Sequence, residues 1–242
     1  MAHEQSRFSV VIPCLNEEDY ILRLLRSLEK QTYSLDDFEV IVADNRSLDK
    51  TSQVVWDYAF SSKMQIRMAH EHKQGVSKAR NSGVRVSRGE TIIFLDADNV
   101  VNETFLMDLS SYVKRSNCQA GTIRTLPDVR SYKAWFVFSV LELVKIISPL
   151  PFGKSFVSRD FFVKSMGYDE TVVLGENVIF LREIKKIALA QNGKFGHLRN
   201  GVKCSIRRFV KEGYQKVLSQ WLLAYLGFTD LGYKTMVDIT EG

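Results

Sequence analysis

The sequence has few cysteines and no long uncharged apolar run. Its three cysteines, Cys14, Cys118 and Cys204, are an odd number without a C-x-x-C spacing, so neither a disulfide framework nor a zinc site is expected. No stretch of about 18 uncharged apolar residues is present, so no membrane-spanning helix is expected. The first residues lack an apolar core and a cleavage site, which argues against a secretory signal. We therefore expect a cytoplasmic location, with the inner face of the membrane as an alternative.

Runs of positive charge, linkers rich in proline or serine, and internal repeats are also lacking. The 33 lysines and arginines outnumber the 28 acidic residues, and the formal net charge is +5. This modest excess fits an anionic small substrate or an anionic membrane surface, and nucleic acid is not expected as a partner. With 242 residues and no linker, the chain is expected to form a single domain.

Apolar runs rich in β-branched residues alternate with helical patterns over the first hundred residues. The runs that predict strands are residues 8–12, 38–43, 64–69 and 91–95. The segments between them carry apolar residues at helical spacing. This alternation predicts an α/β fold with a mostly parallel, Rossmann-like central sheet flanked by helices. In such a sheet the ligand binds beyond the carboxyl ends of the strands.

Two carboxylates follow the fourth of these runs. Residues 91–95 are apolar apart from Thr91, and Asp96 and Asp98 come directly after them. Side chains two residues apart in a strand share a side, so both carboxylates can point the same way. They would repel each other unless a cation lay between them and another anion, and oxygen ligands favour Mg²⁺ or Mn²⁺ bridging to phosphate. The alternative, that these acids only end the strand, stays open because the motif is short.

The second half is less regular and contains two strongly apolar segments. Residues 134–150 carry only Glu142 and Lys145 as charges, and residues 211–226 predict a single helix with apolar residues in register. Packing in a core is the favoured explanation for both segments. The alternative is a surface that lies on a membrane, helped by the net positive charge.

Four blocks of sequence, in order, resemble a known family. The blocks are VVIPCLNEEDYI, EVIVADNRSLDKT, GVSKARNSGVRVSRGETIIFLDADN and GYDE…GENVIFLRE. They resemble the family-2 nucleotide-sugar glycosyltransferases of the GT-A fold, and four ordered blocks are far more specific than one. The resemblance implies inverting, metal-dependent transfer of a sugar from a nucleoside-diphosphate donor, a UDP-sugar foremost. The implied acceptor is a hydroxyl, either lipid-linked or on a polysaccharide, and the implied ion is Mg²⁺ or Mn²⁺.

The resemblance also implies two functional halves within the single domain and indicates which residues line the nucleoside pocket. It implies a nucleotide-binding half over about residues 7–100 and an acceptor half, helical towards its end, over about residues 101–242. Pro13, Leu15 and Glu17 match the loop that lines the nucleoside pocket of the family. Asp44 matches the acid that contacts the base. For Glu17, the alternative of an acid that only serves the positive end of a helix stays open.

Four further residues are expected near the phosphates by the same resemblance. Asp96 matches the acid near the ribose, and Asp98 matches the direct metal ligand. Arg80 lies in the block that closes on the nucleotide. Arg207 belongs to a basic segment that many membrane-associated relatives carry, and an arginine there can bind a diphosphate through two parallel hydrogen bonds. For Arg80 and Arg207, a solvated arginine without such a role is the alternative.

The sequence departs from the family pattern at Glu176-Asn177. Relatives usually carry Glu-Asp here, and the aspartate is taken as the base that deprotonates the acceptor hydroxyl. Asn177 cannot accept that proton, so Glu176 is the nearest carboxylate for the role, although adjacent helical residues point about 100° apart. Asn177 also leaves open a nucleotide-sugar-binding protein that has lost turnover. A nucleotidyltransferase is disfavoured, because the segment PCLNEE lacks the expected glycine-rich, lysine-bearing loop.

Overall fold

The computed structural model describes residues 8–147 and 151–225. The strands are β1 (Phe8–Cys14), β2 (Phe38–Asp44), β3 (Gln65–His70), β4 (Thr91–Phe94), β5 (Cys118–Pro127), β6 (Ser155–Ser158) and β7 (Lys194–Cys204). The helices are α1 (Ile21–Glu29), α2 (Thr51–Ser61), α3 (Val76–Val86), α4 (Phe105–Ser116), α5 (Tyr132–Ile147), α6 (Arg159–Lys164), α7 (Glu176–Ala190), α8 (Arg207–Glu212) and α9 (Tyr214–Tyr225).

In the described part of the chain, the strands form one sheet of seven. Their order is β3-β2-β1-β4-β6-β5-β7. Strand β6 runs antiparallel to both of its neighbours, and the remaining pairs are parallel. The predicted α/β fold with a mostly parallel sheet is therefore confirmed. Because β1 and β4 are adjacent, the loops that follow them meet at one edge of the sheet.

Both faces of the sheet are covered by helices, which explains why the neighbouring strands β1, β2 and β4 are largely apolar and buried. Phe8, Val10 and Ile12 of β1 pack in one core with side chains of α1 and α4. Val11, between them, packs on the opposite face with side chains of α3, α6 and α7. Strands buried on both faces have continuous apolar runs without alternation, as the first half of the sequence shows.

A proline and an asparagine shape the end of β1. Pro13 lies inside the strand, opposite Ala43. Strand β4 ends opposite Val11, so beyond that point β1 pairs only with β2, and a proline fits where one side has no strand to bond. Asn16 does not cap α1, which begins at Ile21. Its φ of +54° places it in a turn, where its Oδ1 accepts from the Leu48 N–H at 2.8 Å.

Two elements of the second half were predicted wrongly. Strand β7 was missed, because KFGHLRNGVKC has two glycines and little alternation. The single helix expected over residues 211–226 is divided into α8 and α9 at Gly213. This glycine has φ +85°, a conformation that interrupts a helix. Residue 226 lies outside the described residues.

Core packing accounts for only one face of α5. Ala134, Phe138 and Glu142 are buried, whereas most apolar side chains of this helix are exposed. The favoured explanation of the apolar segment is therefore wrong for its outer face, and residues 148–150 lie outside the described part. Among the helices of residues 8–147 and 151–225, none has the length and apolar character to cross a bilayer.

A buried charged cluster attaches α5 to the sheet. Glu142 Oε1 accepts from the Thr125 N–H (2.9 Å) and hydroxyl (2.7 Å) of β5, and from Lys145 Nζ. Glu142 Oε2 lies 3.4 Å from His197 Nε2 of β7. Burial alone would raise the pKa of Glu142, but hydrogen bonding to His197 and the charge of Lys145 outweigh it and lower this pKa to about 2.

Glu142 is expected to make the folded state sensitive to acid. Its pKa is about 2 in the folded state and about 4.3 in the unfolded chain, so its contribution is complete above the higher value and is lost as the pH falls towards the lower one. Urea unfolding between neutral pH and pH 2 should show this loss of unfolding free energy. Glu142→Gln should be less stable at neutral pH and lose less on acidification. A pH dependence equal to that of the wild type would contradict the assignment.

Candidate active site

The acids that follow β4 lie in a short turn shaped by a buried asparagine. The Asp96 N–H donates to Asn99 Oδ1 at 2.9 Å, and the Asn99 N–H donates to Asp96 O at 3.0 Å. Asn99 Nδ2 also donates to Asp98 Oδ1 at 3.1 Å. Because Asn99 is fully buried, these bonds fix the turn and position both carboxylates beyond the carboxyl end of β4.

Asp96 is paired with two cations. Its Oδ1 is 3.4 Å from Arg80 Nη2, and its Oδ2 contacts Lys154 Nζ. Burial alone would raise the pKa of Asp96, but the Lys154 ammonium and the Arg80 guanidinium outweigh it and lower this pKa to about 2. Asp96 is therefore ionised at neutral pH, and its negative charge is already balanced by side chains of the protein.

Asp98 shares a third cation with Glu17. Arg207 Nε is 3.3 Å from Asp98 Oδ2, and Arg207 Nη2 donates to Glu17 Oε1. The guanidinium lies over the ring of Tyr20, with 4.3 Å from Cζ to the ring centroid. Burial raises the pKa of both Glu17 and Asp98, against the effect of Arg207. Since Glu17 Oε2 is buried without a hydrogen-bond partner in the structure, one arginine balances this acidic pair only in part.

Arg80 connects Asp96 to the first turn of α7. Its Nη1 lies 3.0 Å from Glu176 Oε1, and its Cζ lies 5.0 Å from the centroid of the Tyr168 ring. The Tyr168 hydroxyl donates to Asn177 Oδ1 at 3.1 Å, and Asn177 Nδ2 donates to Glu176 Oε1 at 3.3 Å. One oxygen of Glu176 therefore accepts from two groups, and both residues of the Glu-Asn pair lie in the same network.

The loop after β1 is fastened to the segment after β2. The Glu17 N–H donates to Thr51 Oγ1 at 2.7 Å, and the Glu18 N–H donates to Asp49 Oδ2 at 3.1 Å. Asp49 Oδ1 in turn accepts from the Thr51 N–H at 2.9 Å. These bonds fix the backbone at Glu17 and so present its side chain to Arg207. The backbone N–H groups of this loop are satisfied by the next loop and not by a cap of α1.

The residues expected in the nucleoside pocket lie beside this network. Pro13 is near the end of β1, Leu15 follows the strand and is partly exposed, and Asp44 is the buried last residue of β2. Between them, the Cys14 thiol has a raised pKa, first because it is buried and then because of the Glu17 and Asp44 carboxylates. The carboxylates of Asp44 and Glu17 thus both raise the pKa of the buried Cys14 thiol.

Three residues of the site were not predicted from the sequence. Lys154 precedes β6, whose Ser155 pairs with Phe94 of β4, and so reaches Asp96 from the neighbouring strand, a placement that no local pattern indicates. Tyr20 directly precedes α1, and its ring supports the Arg207 guanidinium. Tyr168 stands in the GYDE block, so the resemblance could have indicated its place beside Asn177.

The acidic side chains of the site are the groups that could hold a divalent ion, which binds oxygen ligands. Within residues 8–147 and 151–225, no group of three or more histidine, cysteine, aspartate or glutamate side chains is arranged to hold an ion. Mg²⁺ is commonly bound through one or two carboxylates together with substrate phosphates. Asp98, with a raised pKa and one arginine contact, fits such a shared site. Asp96 fits it less well, because two cations already bind its oxygens.

Comparison with known sequences identifies one family. Residues 9–152 match the model of the family described as Glycosyl transferase family 2. The poly(ribitol-phosphate) beta-N-acetylglucosaminyltransferase TarS of Staphylococcus aureus is 35% identical over 107 residues, 44% of this chain and 19% of TarS. The minor teichoic acid biosynthesis protein GgaB of Bacillus subtilis is 33% identical over 111 residues, 46% of this chain and 12% of GgaB. The chain thus spans a small part of the length of these relatives.

Solved structures show the same architecture. TarS 1-349 of S. aureus, in complex with UDP-GlcNAc, gives a TM-score of 0.66 at 21% identity, over 82% of this chain and 58% of that one. The mannosyltransferase PcManGT of Pyrobaculum calidifontis, in complex with GDP-Man and Mn²⁺, gives a TM-score of 0.65 at 19% identity. The match covers 90% of this chain and 65% of PcManGT. At these identities the likeness establishes the fold alone, and the predicted GT-A fold is confirmed.

Proposed function

Because the chain belongs to glycosyl transferase family 2, we propose that it transfers a sugar from a nucleoside-diphosphate donor to an acceptor hydroxyl. The observation that carries the proposal is the network at the carboxyl ends of β1 and β4. It contains two groups of ion-paired residues, one of Glu17, Arg207 and Asp98 and the other of Asp96, Arg80 and Glu176. The two groups meet at the turn that Asn99 holds. Charged groups of both signs, partly buried, are what a diphosphate and a divalent ion need.

We assign the donor to the edge formed by β1, β2 and β4. The nucleoside contacts Pro13, Leu15, Glu17 and Asp44, and the ribose lies near Asp96. The donor we favour is a UDP-sugar, because the structure of TarS that shares this fold contains UDP-GlcNAc. A GDP-sugar is the competing choice, since PcManGT shares the fold with GDP-Man bound.

The diphosphate is proposed to bind between Asp98 and Arg207. Asp98 would hold Mg²⁺ or Mn²⁺, which stabilises the negative charge that develops on the leaving diphosphate. Arg207 is partly exposed, so its guanidinium can turn from Asp98 towards a phosphate while Glu17 and Tyr20 still support it. Lys154 and Arg80 hold Asp96 in its ionised form, in which it accepts hydrogen bonds only.

Glu176 is proposed as the base for an inverting displacement. The acceptor oxygen bonds to the anomeric carbon of the sugar, the bond from that carbon to the diphosphate oxygen breaks, and the acceptor proton passes to Glu176. Arg80 and Asn177 both donate to Oε1, which fixes the carboxylate and assigns proton acceptance to Oε2. Asn177 is then a positioning residue, itself held by the Tyr168 hydroxyl.

A second candidate function rests on Asn177. An amide at the position of the family's usual aspartate favours a protein that binds the nucleotide sugar without turning it over. The Tyr168 hydroxyl already donates to Asn177 Oδ1, so a carboxylate can take the same place. Asn177→Asp should then introduce donor hydrolysis where the wild type shows none.

The donor class can be tested by thermal unfolding. The melting temperature is measured with UDP-, GDP- and dTDP-sugars, each with and without Mn²⁺. A sugar nucleotide raises it only if it binds the folded state. We expect the largest rise with a UDP-sugar and Mn²⁺, and a smaller one with EDTA. No rise with any donor would overturn the proposed function in both of its forms.

Asp98→Asn is expected to weaken metal-dependent binding of UDP by at least about tenfold, or about 1.4 kcal/mol. The substitution removes the charge of the proposed ligand and keeps its size. Isothermal titration calorimetry with Mn²⁺, and with EDTA, measures the difference. Asp160→Asn, on the exposed surface of α6, is the matched control and should bind as the wild type does. Equal affinities for the wild type and Asp98→Asn in both buffers would show that Asp98 holds no ion.

A further inference from the structure

Helix α5 directs two of its three charged side chains, Glu142 and Lys145, inward and most of its apolar side chains outward. Ala134, Phe138, Glu142 and Lys145 form its inner face. Its outer side chains, which we name the apolar face of α5, are 44–81% exposed: Tyr132, Phe136, Val140, Leu143 and Ile147. Steps of three and four residues place these five on one side of the helix. A helix exposed to water has the opposite arrangement, so this continuous patch indicates a binding surface.

The orientation of α5 is fixed by its inner face. Rotating the helix to bury the apolar face would remove Glu142 from the Thr125 backbone and from His197. It would also separate Lys145 from the Ile123 carbonyl and the Thr125 hydroxyl, which accept from its Nζ at 3.3 and 2.9 Å. Breaking a buried, hydrogen-bonded charge pair is strongly unfavourable. The apolar face therefore stays outward in the folded chain.

The charges on α5 and its neighbours are mostly positive. Helices α5, α8 and α9 together contain six lysines and arginines but only two acids, Glu142 and Glu212. Glu142 is buried against Lys145, and Glu212 pairs with Arg208 at 3.0 Å. Lys133 is the one charged residue among the exposed side chains of α5. Of the six cations, Lys145 is buried, and Arg207 and Arg208 pair with acids. The exposed lysines Lys133, Lys211 and Lys216 are the cations that complement a negatively charged surface.

The inner face of α5 connects the helix to the proposed active site through two contacts. Phe209, two residues beyond Arg207, packs on Phe138 of α5 with 6.0 Å between ring centroids. On the other side, the Lys145 side chain lies against Gly153, the neighbour of Lys154, which binds Asp96. The helix that carries the apolar face therefore packs against the segments that contain Arg207 and Lys154.

We propose that the apolar face of α5 binds the surface of an anionic lipid bilayer and brings the cleft to an acceptor hydroxyl carried by a lipid. The apolar side chains enter the boundary between headgroups and acyl chains, and the exposed lysines of α5, α8 and α9 meet the anionic headgroups. The role of the acceptor rests on the proposed function, but the membrane contact does not. A symmetric pair of copies fits less well, because it would bring positive charges of both copies together.

Sedimentation of the full chain with vesicles tests the proposal. The vesicles contain equal parts of phosphatidylglycerol and phosphatidylcholine, or phosphatidylcholine alone. We expect binding to the anionic vesicles at low salt, less at high salt, and little to the neutral ones. Phe136→Glu and Ile147→Glu should each lower the partition coefficient about tenfold. Phe60→Glu makes the same change at an exposed aromatic on α2 and should have no such effect.

Thermal unfolding of the same variants measures folding and donor binding separately from membrane binding. Because the substituted side chains are exposed, each variant should have the wild-type melting temperature, and the donor should raise that temperature as much as it does in the wild type. Wild type that stays in solution with anionic vesicles at low salt would overturn the proposal. So would equal losses in Phe136→Glu and Phe60→Glu, equal binding to neutral vesicles, or dimers in analytical ultracentrifugation that Phe136→Glu dissociates. Loss of the thermal response to donor in the wild type would instead count against the proposed function.

Discussion

Glu176→Gln is expected to lower sugar transfer by about 10²–10⁴-fold while donor affinity stays nearly unchanged. Glutamine keeps the size of the side chain and its carbonyl can still accept from Arg80 and Asn177, so the network around Oε1 is preserved. What it loses is the ability to accept the acceptor's proton. Because that proton moves only as the new bond forms, the loss should lie in kcat, with little change in donor binding. Initial rates of transfer, combined with calorimetry for the donor, separate the two effects.

The matched control for this prediction is Glu183→Gln. Glu183 lies on the same helix, where it is half-exposed and pairs with Lys186 at 3.2 Å, so its substitution should leave transfer unchanged. Full activity in Glu176→Gln would remove this residue from the role of base. If Asn177→Asp then also transferred sugar no faster than the wild type, the proposed arrangement of the acceptor side would be wrong.

Arg80→Met is expected to destabilise the folded protein by about 3–5 kcal/mol, because it leaves the largely buried Glu176 carboxylate without the cation it contacts. Arg80 is only 5% exposed and contacts both Asp96 and Glu176. Methionine replaces its length but none of its five donors. Asp96 keeps Lys154, so we expect the larger part of the loss to arise at Glu176. Urea unfolding at neutral pH measures the change in free energy.

Arg85→Met provides the comparison for Arg80. Arg85 lies on the same helix and also contacts two carboxylates, Glu71 at 3.1 Å and Glu170 at 4.0 Å, but it is 60% exposed. Exposed ion pairs contribute little, so its loss should cost less than about 1 kcal/mol. Similar losses in the two variants would mean that burial of Arg80 does not determine its contribution.

The sequence was informative where function depends on residues close together in the chain. Each strand of the first half is a short apolar run, and each is followed by polar residues at the same edge of the sheet, so Glu17, Asp44 and the two acids after β4 could be located. These residues come to one edge because parallel strands align their carboxyl ends. The same regularity predicted the order of elements up to β4.

Contacts between distant parts of the chain could not be predicted in this way. Lys154 is 58 residues from Asp96, and Arg207 is 190 residues from Glu17. Both pairs depend on which strands become neighbours in the sheet, and β7, which carries the chain back to Arg207, has no clear strand pattern. The outward apolar face of α5 was missed for a related reason. Its composition resembles a core helix, and only the bonds of Glu142 show which side faces the sheet.

The most direct test of the proposed function is the release of UDP from UDP-GlcNAc, followed by chromatography with Mn²⁺ present. Hydrolysis by water needs no knowledge of the acceptor, so it reports whether the site can break the bond between sugar and diphosphate. If the proposed active site is correct, the protein should release UDP in proportion to its concentration, and Asp98→Asn should abolish the release. A protein that binds the donor, yet releases no UDP in the wild type or in Asn177→Asp, would contradict the proposal of sugar transfer.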